Sequence, residues 1–412
     1  MKVTPANSGP DSRQLMQQVL NFEPVQMLDA EGRRIANPDW DHWVTDLTVE
    51  DYQEFYRDMV IARRVDQEGS ILQRQGELVL WVPLQGQEAA QIGAISAARA
   101  GDFVFPTYRE HAMALARDVS IPDLFQLFRG EGHSGWDPQE HHFQVYTLVL
   151  AAQTLHATGY AMGIQRDQNG WDPAKLAQDG EAVIACFGDG SSSEGDVHES
   201  MVFAASNQSP VVFFCQNNRW AISVPFETQS RVPLAQRAAG YGFPSIRVDG
   251  NDVLAVYAVT RWALEHARTG HGPVLIEAET YRLGAHTTAD DPTKYRGRPE
   301  EESWAPRDPL VRARTFLEEC GVEDSFFDEV EQQAAARAAE VREAVMSLGG
   351  ATLDEQFDYV YAQPHPLVEQ ERAEYRAFMD SFEDNGFEDS EFEDAEQLDG
   401  NNRAGHGKGE RA

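Results

Sequence analysis

The stretch "CFGDGSSSEGDVHESMVFAASNQSPVVFFCQNNRWAIS", Cys186 to Ser223, decides the fold. It places a Gly-Asp-Gly turn after the apolar run "EAVIACF" and an Asn-Asn pair after the apolar run "SPVVFFC". Between them, apolar residues Val197, Met201 and Ala204 or Ala205 recur at helical spacing, which predicts a helix from about Glu194 to Ala205. Strand, helix and strand in succession form a parallel unit. Both loops of such a unit end at the same carboxyl edge of the sheet, where ligands of these sheets bind. Gly188 and Gly190 let backbone N–H groups approach an anion closely. Asp189 and Asn218, 29 positions apart, bring one carboxylate and one amide to that edge. With backbone carbonyls they make an all-oxygen set suited to a hard cation such as magnesium shared with a phosphate, and unsuited to zinc. Either motif alone is an ordinary turn; their spacing across one strand-helix-strand unit makes the pair specific.

The same alternation continues outward. "DFVFP", "PSIRVDG" and "GPVLIEAETYR" read as further strands separated by helical patterns, giving an α/β chain with a parallel sheet flanked by helices. Residues 1–44 are polar and proline-punctuated, as an extended arm is. Residues 45–365 carry the main domain, which closes on the helical patterns "DPLVRARTFLEECG" and "DSFFDEVEQQAAARAAEVREAVMSLG". Residues 366–412 form an acidic tail: Asp380 to Asp399 contains ten acids and no base, so it repels itself and is expected to stay solvated and disordered.

At 412 residues and 42% hydrophobic content the chain can bury a large core. Its formal charge of −34 excludes nucleic acid and anionic membrane surfaces as partners, so any phosphate must be held by local cations. Three cysteines, Cys186, Cys215 and Cys320, form no pair motif, and two sit inside apolar runs. That usage fits a reducing cytoplasm. No window reaches the length of a membrane span and the N-terminus lacks a signal-peptide core, so a soluble, cytoplasmic protein is expected.

Gly-Asp-Gly followed by Asn-Asn resembles the thiamine diphosphate motif. From Leu47 to Gln363 the chain resembles the α subunit of a branched-chain 2-oxo acid dehydrogenase decarboxylating component, with pyruvate and acetoin dehydrogenase α subunits as near relatives. The resemblance implies a thiamine diphosphate-binding fold and a magnesium ion held by Asp189, the Asn218 side chain and the main-chain carbonyl of Trp220. The cofactor would contact Gly188, Asp189, Gly190 and Ser191. "FPTYREHAMALARD" matches a segment whose Tyr108 and Arg109 would touch the cofactor, Arg109 at the diphosphate. "TYRLGAHTTADDPTKYRGR" matches the active-site loop, with Arg282 and His286 near the diphosphate and His286 as the catalytic group. Leu150 would support the bent cofactor. Gln216 stands where many relatives have Arg, and Val149 and Ala152 replace small polar residues of a potassium-binding loop, which weakens the case for potassium.

The resemblance also implies oxidative decarboxylation of a 2-oxo acid with acyl transfer to the lipoyl group of an acyltransferase component. The activating glutamate would come from a β subunit in a heterotetramer of two α and two β chains. "GAHTTADDP" favours branched-chain substrates over pyruvate. The loop from His286 to Arg298 has almost no apolar side chains and is expected to be mobile until an anion organises it. Single-chain transketolase-like enzymes need a second cofactor domain for which this length leaves no room. A non-catalytic acidic scaffold would require broken magnesium ligands, and no GxGxxG opens a helix near the N-terminus as a nicotinamide enzyme needs.

Overall fold

The computed structural model describes residues 22–132, 134–349, 352, 354–358 and 360–384. Residue contacts divide the chain into two units, 1–348 and 349–412. The first contains helices α1 (Val49–Arg74) and α2 (Glu88–Ser96), strand β1 (Phe103–Phe105), helix α3 (Ala152–Asp167), strand β2 (Val183–Gly188), helix α4 (Gly195–Asn207) and strand β3 (Val211–Asn217). A two-strand ribbon, β4 (Trp220–Ala221) and β5 (Val224–Pro225), follows, then β6 (Ser245–Asp249), helix α5 (Val253–His266), β7 (Val274–Glu279) and helices α6 (Pro309–Glu319) and α7 (Asp324–Ser347).

Five strands form one wholly parallel sheet in the order β1-β2-β3-β7-β6. Buried on both faces, such strands need continuous apolar sequence. The period of two assigns each residue to a layer. Ile184, Cys186, Val212, Phe214, Val274 and Ile276 belong to the larger core, and Val183, Ala185, Phe187, Val211, Phe213, Cys215 and Leu275 to the smaller one. Both thiols within these runs, Cys186 and Cys215, are free and buried, and Cys320 is free and exposed. No helix of the described residues is long and apolar enough to cross a membrane.

Helix α1 starts at a reciprocal capping box between Thr48 and Asp51, which satisfies two of its orphan N–H groups. Helix α7 presents Phe327, Val330, Ala334, Val341 and Val345 to the larger core at steps of three, four and seven. The helix expected from Glu194 starts at Gly195 and runs to Asn207.

Residues 22–44, within the expected arm, run along the sheet edge. Val25 N–H donates to the Arg247 carbonyl at 2.8 Å and the Val25 carbonyl accepts from Asp249 N–H at 3.0 Å. Met27 and Leu28 are fully buried, and both their N–H groups donate to Asp252 Oδ2 at 2.6 Å. Residues 1–21 lie outside the described residues. In the second unit, residues 366–384 of the expected tail form helix α8 (Pro366–Asp384), where Arg372 pairs with Asp358 at 2.8 Å and Arg376 with Asp354 at 2.5 Å. The acidic residues from 385 onward lie outside the described residues.

Gly69, inside α1, is where the helix meets the segment leading to the cleft. A Cβ there would lie 2.5 Å from Trp81 Cε2, and Trp81 is fully buried, stacked on Phe125 and His111. Alanine gains ~1 kcal/mol of helix preference over glycine, but overpacking costs ~1–3 kcal/mol and the clash is with a ring that cannot swing away. Gly69→Ala should therefore lower the midpoint of denaturant unfolding, and a raised midpoint would contradict this packing.

Candidate functional site

Because all five strands are parallel, the segments after β1, β2, β3 and β7 emerge at one edge. There they enclose a cleft of about 170 Å³. Its lining includes Tyr108, Arg109, Leu150, Gly188, Asp189, Gly190, Ser191, Asn218, Trp220 and His286, so all but one of the residues expected to touch cofactor or magnesium meet in one place. Arg282 is the other. It is fully buried, and its guanidinium donates to the Trp220 carbonyl at 3.1 Å, the Ile222 carbonyl at 2.7 Å and Tyr295 Oη at 2.8 Å.

The two glycines of Gly-Asp-Gly do different work. A Cβ on Gly190 would come within 2.9 Å of Ala221 Cβ, so Gly190 lets the β4–β5 ribbon close over the turn. A Cβ on Gly188 would meet no protein atom within 4 Å, which leaves its backbone open to a ligand in the cleft. Asp189 between them is 1% exposed and accepts from Gln229 Nε2 at 3.0 Å. Burial pushes its carboxyl up to about 6 against the hydrogen bond from Gln229.

The Asn-Asn pair shapes the second loop. Asn217 Oδ1 accepts from Arg219 N–H at 3.2 Å and its amide donates to Glu277 Oε1 at 2.7 Å. Asn218 Oδ1 accepts from Trp220 N–H at 3.3 Å. Between these residues Arg219 adopts a left-handed φ of 73°, costly for a residue with a Cβ. Its guanidinium is tied to Glu227 and, at 2.6 Å, to Glu279. Main-chain bonds from Thr280 to Asn217 (2.9 Å) and from Arg282 to Asn218 (3.3 Å) prolong the β3–β7 pairing past the strand ends and carry Arg282 beside Asn218.

Two guanidinium groups give the cleft its charge. Arg109 is 5% exposed and donates to the carbonyls of Pro83 and, at 3.0 Å, His286. Among the described residues neither Arg109 nor Arg282 forms an ion pair. Burial lowers both, Arg282 to about 10. His286 Nδ1 lies 3.2 Å from Arg109 Nη2 and 3.5 Å from Arg282 Nη1. A guanidinium only donates, so Nδ1 accepts and the neutral ring carries its proton on Nε2. Burial, then Arg109 and Arg282, pushes His286 down to about 3, so it stays neutral at any working pH.

Sequence reasoning missed several neighbours. Gln87 is 1% exposed, its Oε1 accepts from Asn218 Nδ2 at 3.3 Å, and its Nε2 has no partner although it lines the cleft. Gln216 donates to Glu110 Oε1 at 2.6 Å and accepts from Gln91 Nε2 at 3.1 Å, so the residue in the place of a cation is held by a buried carboxyl. The three Gln of "LQGQEAAQIG" are the available signal, and they are indistinguishable from a polar helix start until the fold places them.

The loop after His286 is bonded to the strand end that carries it: Arg296, 8% exposed, donates to the carbonyls of Arg282 (2.5 Å), Leu283 (2.9 Å) and Gly284 (3.0 Å). Thr288 N–H donates to the Trp81 carbonyl at 2.9 Å, and Asp290 accepts from His286 N–H at 2.9 Å. Polar side chains replaced apolar ones as the cement, which composition alone does not reveal.

The raised Asp189 carboxyl makes a prediction. An unfolded aspartate titrates at ~3.9, so the ionised form costs the folded state stability. That cost is absent below pH 4, grows as pH rises to about 6 and is constant above it, reaching up to ~3 kcal/mol. Without divalent cations, Asp189→Asn should be more stable than the parent at pH 7.5 and equal to it at pH 4. Thermal unfolding at both pH values checks this, and equal stability at pH 7.5 would contradict it.

The chain matches the family of the dehydrogenase E1 component over residues 56–348. It is 43% identical to the 3-methyl-2-oxobutanoate dehydrogenase subunit alpha of Mycobacterium tuberculosis over 363 residues, 87% of this chain and 95% of that one. It is 37% identical over 355 residues to the pyruvate dehydrogenase E1 component subunit alpha of Staphylococcus epidermidis, covering 85% of this chain and 92% of that one. The Staphylococcus aureus protein of the same name is 38% identical over 328 residues, 78% and 85% of the two chains. The parallel sheet with its ligand edge at Asp189 and Asn218 thus has a lineage as well as a geometry: this chain belongs to the dehydrogenase E1 component family.

Proposed function

We propose that this chain is the α subunit of a thiamine diphosphate- and magnesium-dependent 2-oxo acid dehydrogenase. With a β subunit, in a heterotetramer of two α and two β chains, it decarboxylates branched-chain 2-oxo acids and passes the acyl group to the lipoyl group of an acyltransferase in the cytoplasm. One observation carries the reading. A single cleft sets the buried Asp189 carboxylate, the Asn218 amide oxygen and the Trp220 carbonyl beside Arg109, which forms no ion pair among the described residues, in a chain 43% identical to a protein named for branched-chain chemistry.

The residues present fit a magnesium diphosphate. Among the described residues no group of three His, Cys, Asp or Glu could hold a metal, so a cation here must rely on Asp189, Asn218 Oδ1 and the Trp220 carbonyl. That mixed oxygen set suits magnesium, which keeps phosphate oxygens as its remaining ligands. Gly188 to Ser191 offer the backbone of the turn. Gln87 Nε2, buried and without a partner among the described residues, supplies a donor, and Arg109 supplies positive charge that no described carboxylate pairs with. Tyr108 and Leu150 give the cleft its apolar wall.

When bound, thiamine diphosphate supplies the electron sink for the carbon–carbon bond broken beside the 2-oxo group. The chain's own contribution is positioning and charge. Arg109 balances the anion, and the Arg282 guanidinium fixes the Trp220 carbonyl by hydrogen bonding. His286, neutral and donating from Nε2, holds a proton at the edge of the cleft without adding charge to it. The carboxylate that activates the aminopyrimidine is assigned to the β subunit, because this chain supplies one parallel sheet and one diphosphate site.

The test combines the chain with a β subunit and compares 3-methyl-2-oxobutanoate with pyruvate. Neither chain alone should decarboxylate. Together they should favour the branched substrate by at least about tenfold in kcat/KM, a difference of ~1.4 kcal/mol. Turnover by rigorously β-free protein would refute the subunit assignment, and preference for pyruvate would move the substrate to that of the 37–38% identical relatives. In calorimetry of the assembled enzyme, Asp189→Ala and Asn218→Ala should each abolish magnesium-dependent cofactor binding. Undiminished affinity in either variant would sink the metal assignment.

A further inference from the structure

Arg109 and Gln87 meet the cleft by way of the segment Trp81–Gln87, which neither Gly-Asp-Gly nor Asn-Asn supplies. The Arg109 guanidinium donates to the Pro83 carbonyl. Two residues on, His111 Nε2 donates to the Val82 carbonyl at 2.9 Å, so its Nδ1 accepts from Tyr146 Oη at 2.8 Å. At the far end Gln87 N–H donates to the Leu84 carbonyl at 3.0 Å, and the Gln87 side chain accepts from Asn218. The course of this segment therefore decides where Arg109 and Gln87 point.

The segment belongs to no helix or strand, so its buried N–H groups need partners from elsewhere. Helix α1 supplies one at its centre. Asp66, 2% exposed, accepts on the single oxygen Oδ1 from Trp81 Nε1 and from Leu84 N–H, both at 2.9 Å. Those two donors bracket Val82 and Pro83, the residues whose carbonyls His111 and Arg109 take. One turn earlier on the same face of α1, Arg63 pairs with the buried Glu88, whose Oε2 accepts from Gly86 N–H at 2.9 Å. The Trp81 ring, stacked on His111 and Phe125 with centroids 4.5 and 4.6 Å away, keeps its indole N–H aimed at Asp66.

We propose that Asp66 is a positioning residue of the cleft: by holding Trp81 and Leu84 it sets the Pro83 carbonyl that aims Arg109 and the backbone that carries Gln87, and so fixes the charge and the donor that meet an anion there. Burial raises the carboxyl to about 7 against the bonds from Leu84 and Trp81, with Glu88 pushing it further up and Arg109 down. Ionised or neutral, Oδ1 remains an acceptor, so the hold does not depend on the proton. What the hold does for a cofactor rests on the proposed function above. The hold itself does not depend on that reading.

Two measurements on the chain assembled with its β subunit separate the hold from its consequence. Hydrogen–deuterium exchange across 82–88 should rise about tenfold in Asp66→Ala, which loses both bonds, and stay within about threefold of the parent in Asp66→Asn, which keeps an oxygen in place of Oδ1. Calorimetry with magnesium pyrophosphate as the probe should follow the same order. Affinity should fall about tenfold in Asp66→Ala and be largely rescued in Asp66→Asn, with Trp81→Phe, which keeps a ring and loses one of the two donors, in between. In turnover, Asp66→Ala should raise the thiamine diphosphate concentration giving half the maximal rate while leaving KM for the 2-oxo acid within about twofold. Pyrophosphate affinity unchanged in Asp66→Ala would overturn the proposal. Asp66→Asn as weak as Asp66→Ala would overturn it too, because the charge of Asp66 and not the held segment would then be at work. Should Asp66→Ala fail to fold, Asp66→Leu, which keeps the volume without an acceptor, takes its place with the same readouts. If exchange follows this order while the parent itself binds neither pyrophosphate nor thiamine diphosphate, the hold of Asp66 stands and the proposed function fails.

Discussion

The arrangement at the sheet edge depends on buried guanidinium groups that donate to backbone carbonyls. Arg109 holds Pro83 and His286, Arg282 holds Trp220 and Ile222, and Arg296 holds Arg282, Leu283 and Gly284. A guanidinium spends up to five N–H donors in a fixed fork, so one such group can pin two or three loop carbonyls at once. Carbonyl partners accept hydrogen bonds but leave the charge, which Arg296 shares with Glu301 at 2.7 Å. In a chain of formal charge −34, the cleft thereby keeps local positive charge: among the described residues neither Arg109 nor Arg282 is ion-paired with a carboxylate. Burial, and after it the same two cations, keeps His286 neutral.

That constraint also ties the loops of the cleft to one another. Loops whose carbonyls must meet a rigid fork cannot drift far without leaving a buried cation unsatisfied. The strained residues Arg219 and Ile222 are tolerated for the same reason: each is bound at its own guanidinium or carbonyl to a partner in another segment. A site meant to bind a charged ligand repeatedly gains from such preorganisation, because less order has to be imposed when the ligand enters.

Much of this was legible in the sequence, and the boundary between what was and was not has a physical cause. Strands β2 and β3, the intervening helix and the meeting of Asp189 with Asn218 follow from local pattern, because a parallel strand-helix-strand unit fixes its own geometry within about 30 residues. The all-apolar runs of β2 and β3 correctly signalled burial on both faces. Gln87, Gln229, Asp290, Tyr295 and Arg296 were not legible as parts of the site. Each is a common polar residue in a loop or helix start, and its meaning lies in a partner that only the fold brings near, as Gln87 meets Asn218 across 131 positions. The His286 loop is similar: its composition shows few apolar residues, and the carbonyl-to-arginine bonds that hold it are visible only once the fold brings Arg296 beside it.

The position of Arg282 shows how resemblance and geometry can divide one residue's work. Resemblance placed it near the diphosphate; the structure turns its guanidinium onto two carbonyls and a phenol. Its charge still reaches the cleft, since Coulomb interaction acts through a few ångströms of low-dielectric protein where hydrogen bonding cannot. Its donors, meanwhile, fix the carbonyl of Trp220, a residue that lines the same space as Asp189 and Asn218. Replacement by lysine would keep most of the charge and lose the fork, so the two contributions are separable in principle. The fork is the harder to replace, because a lysine ammonium cannot span the Trp220 and Ile222 carbonyls and the Tyr295 hydroxyl in one plane.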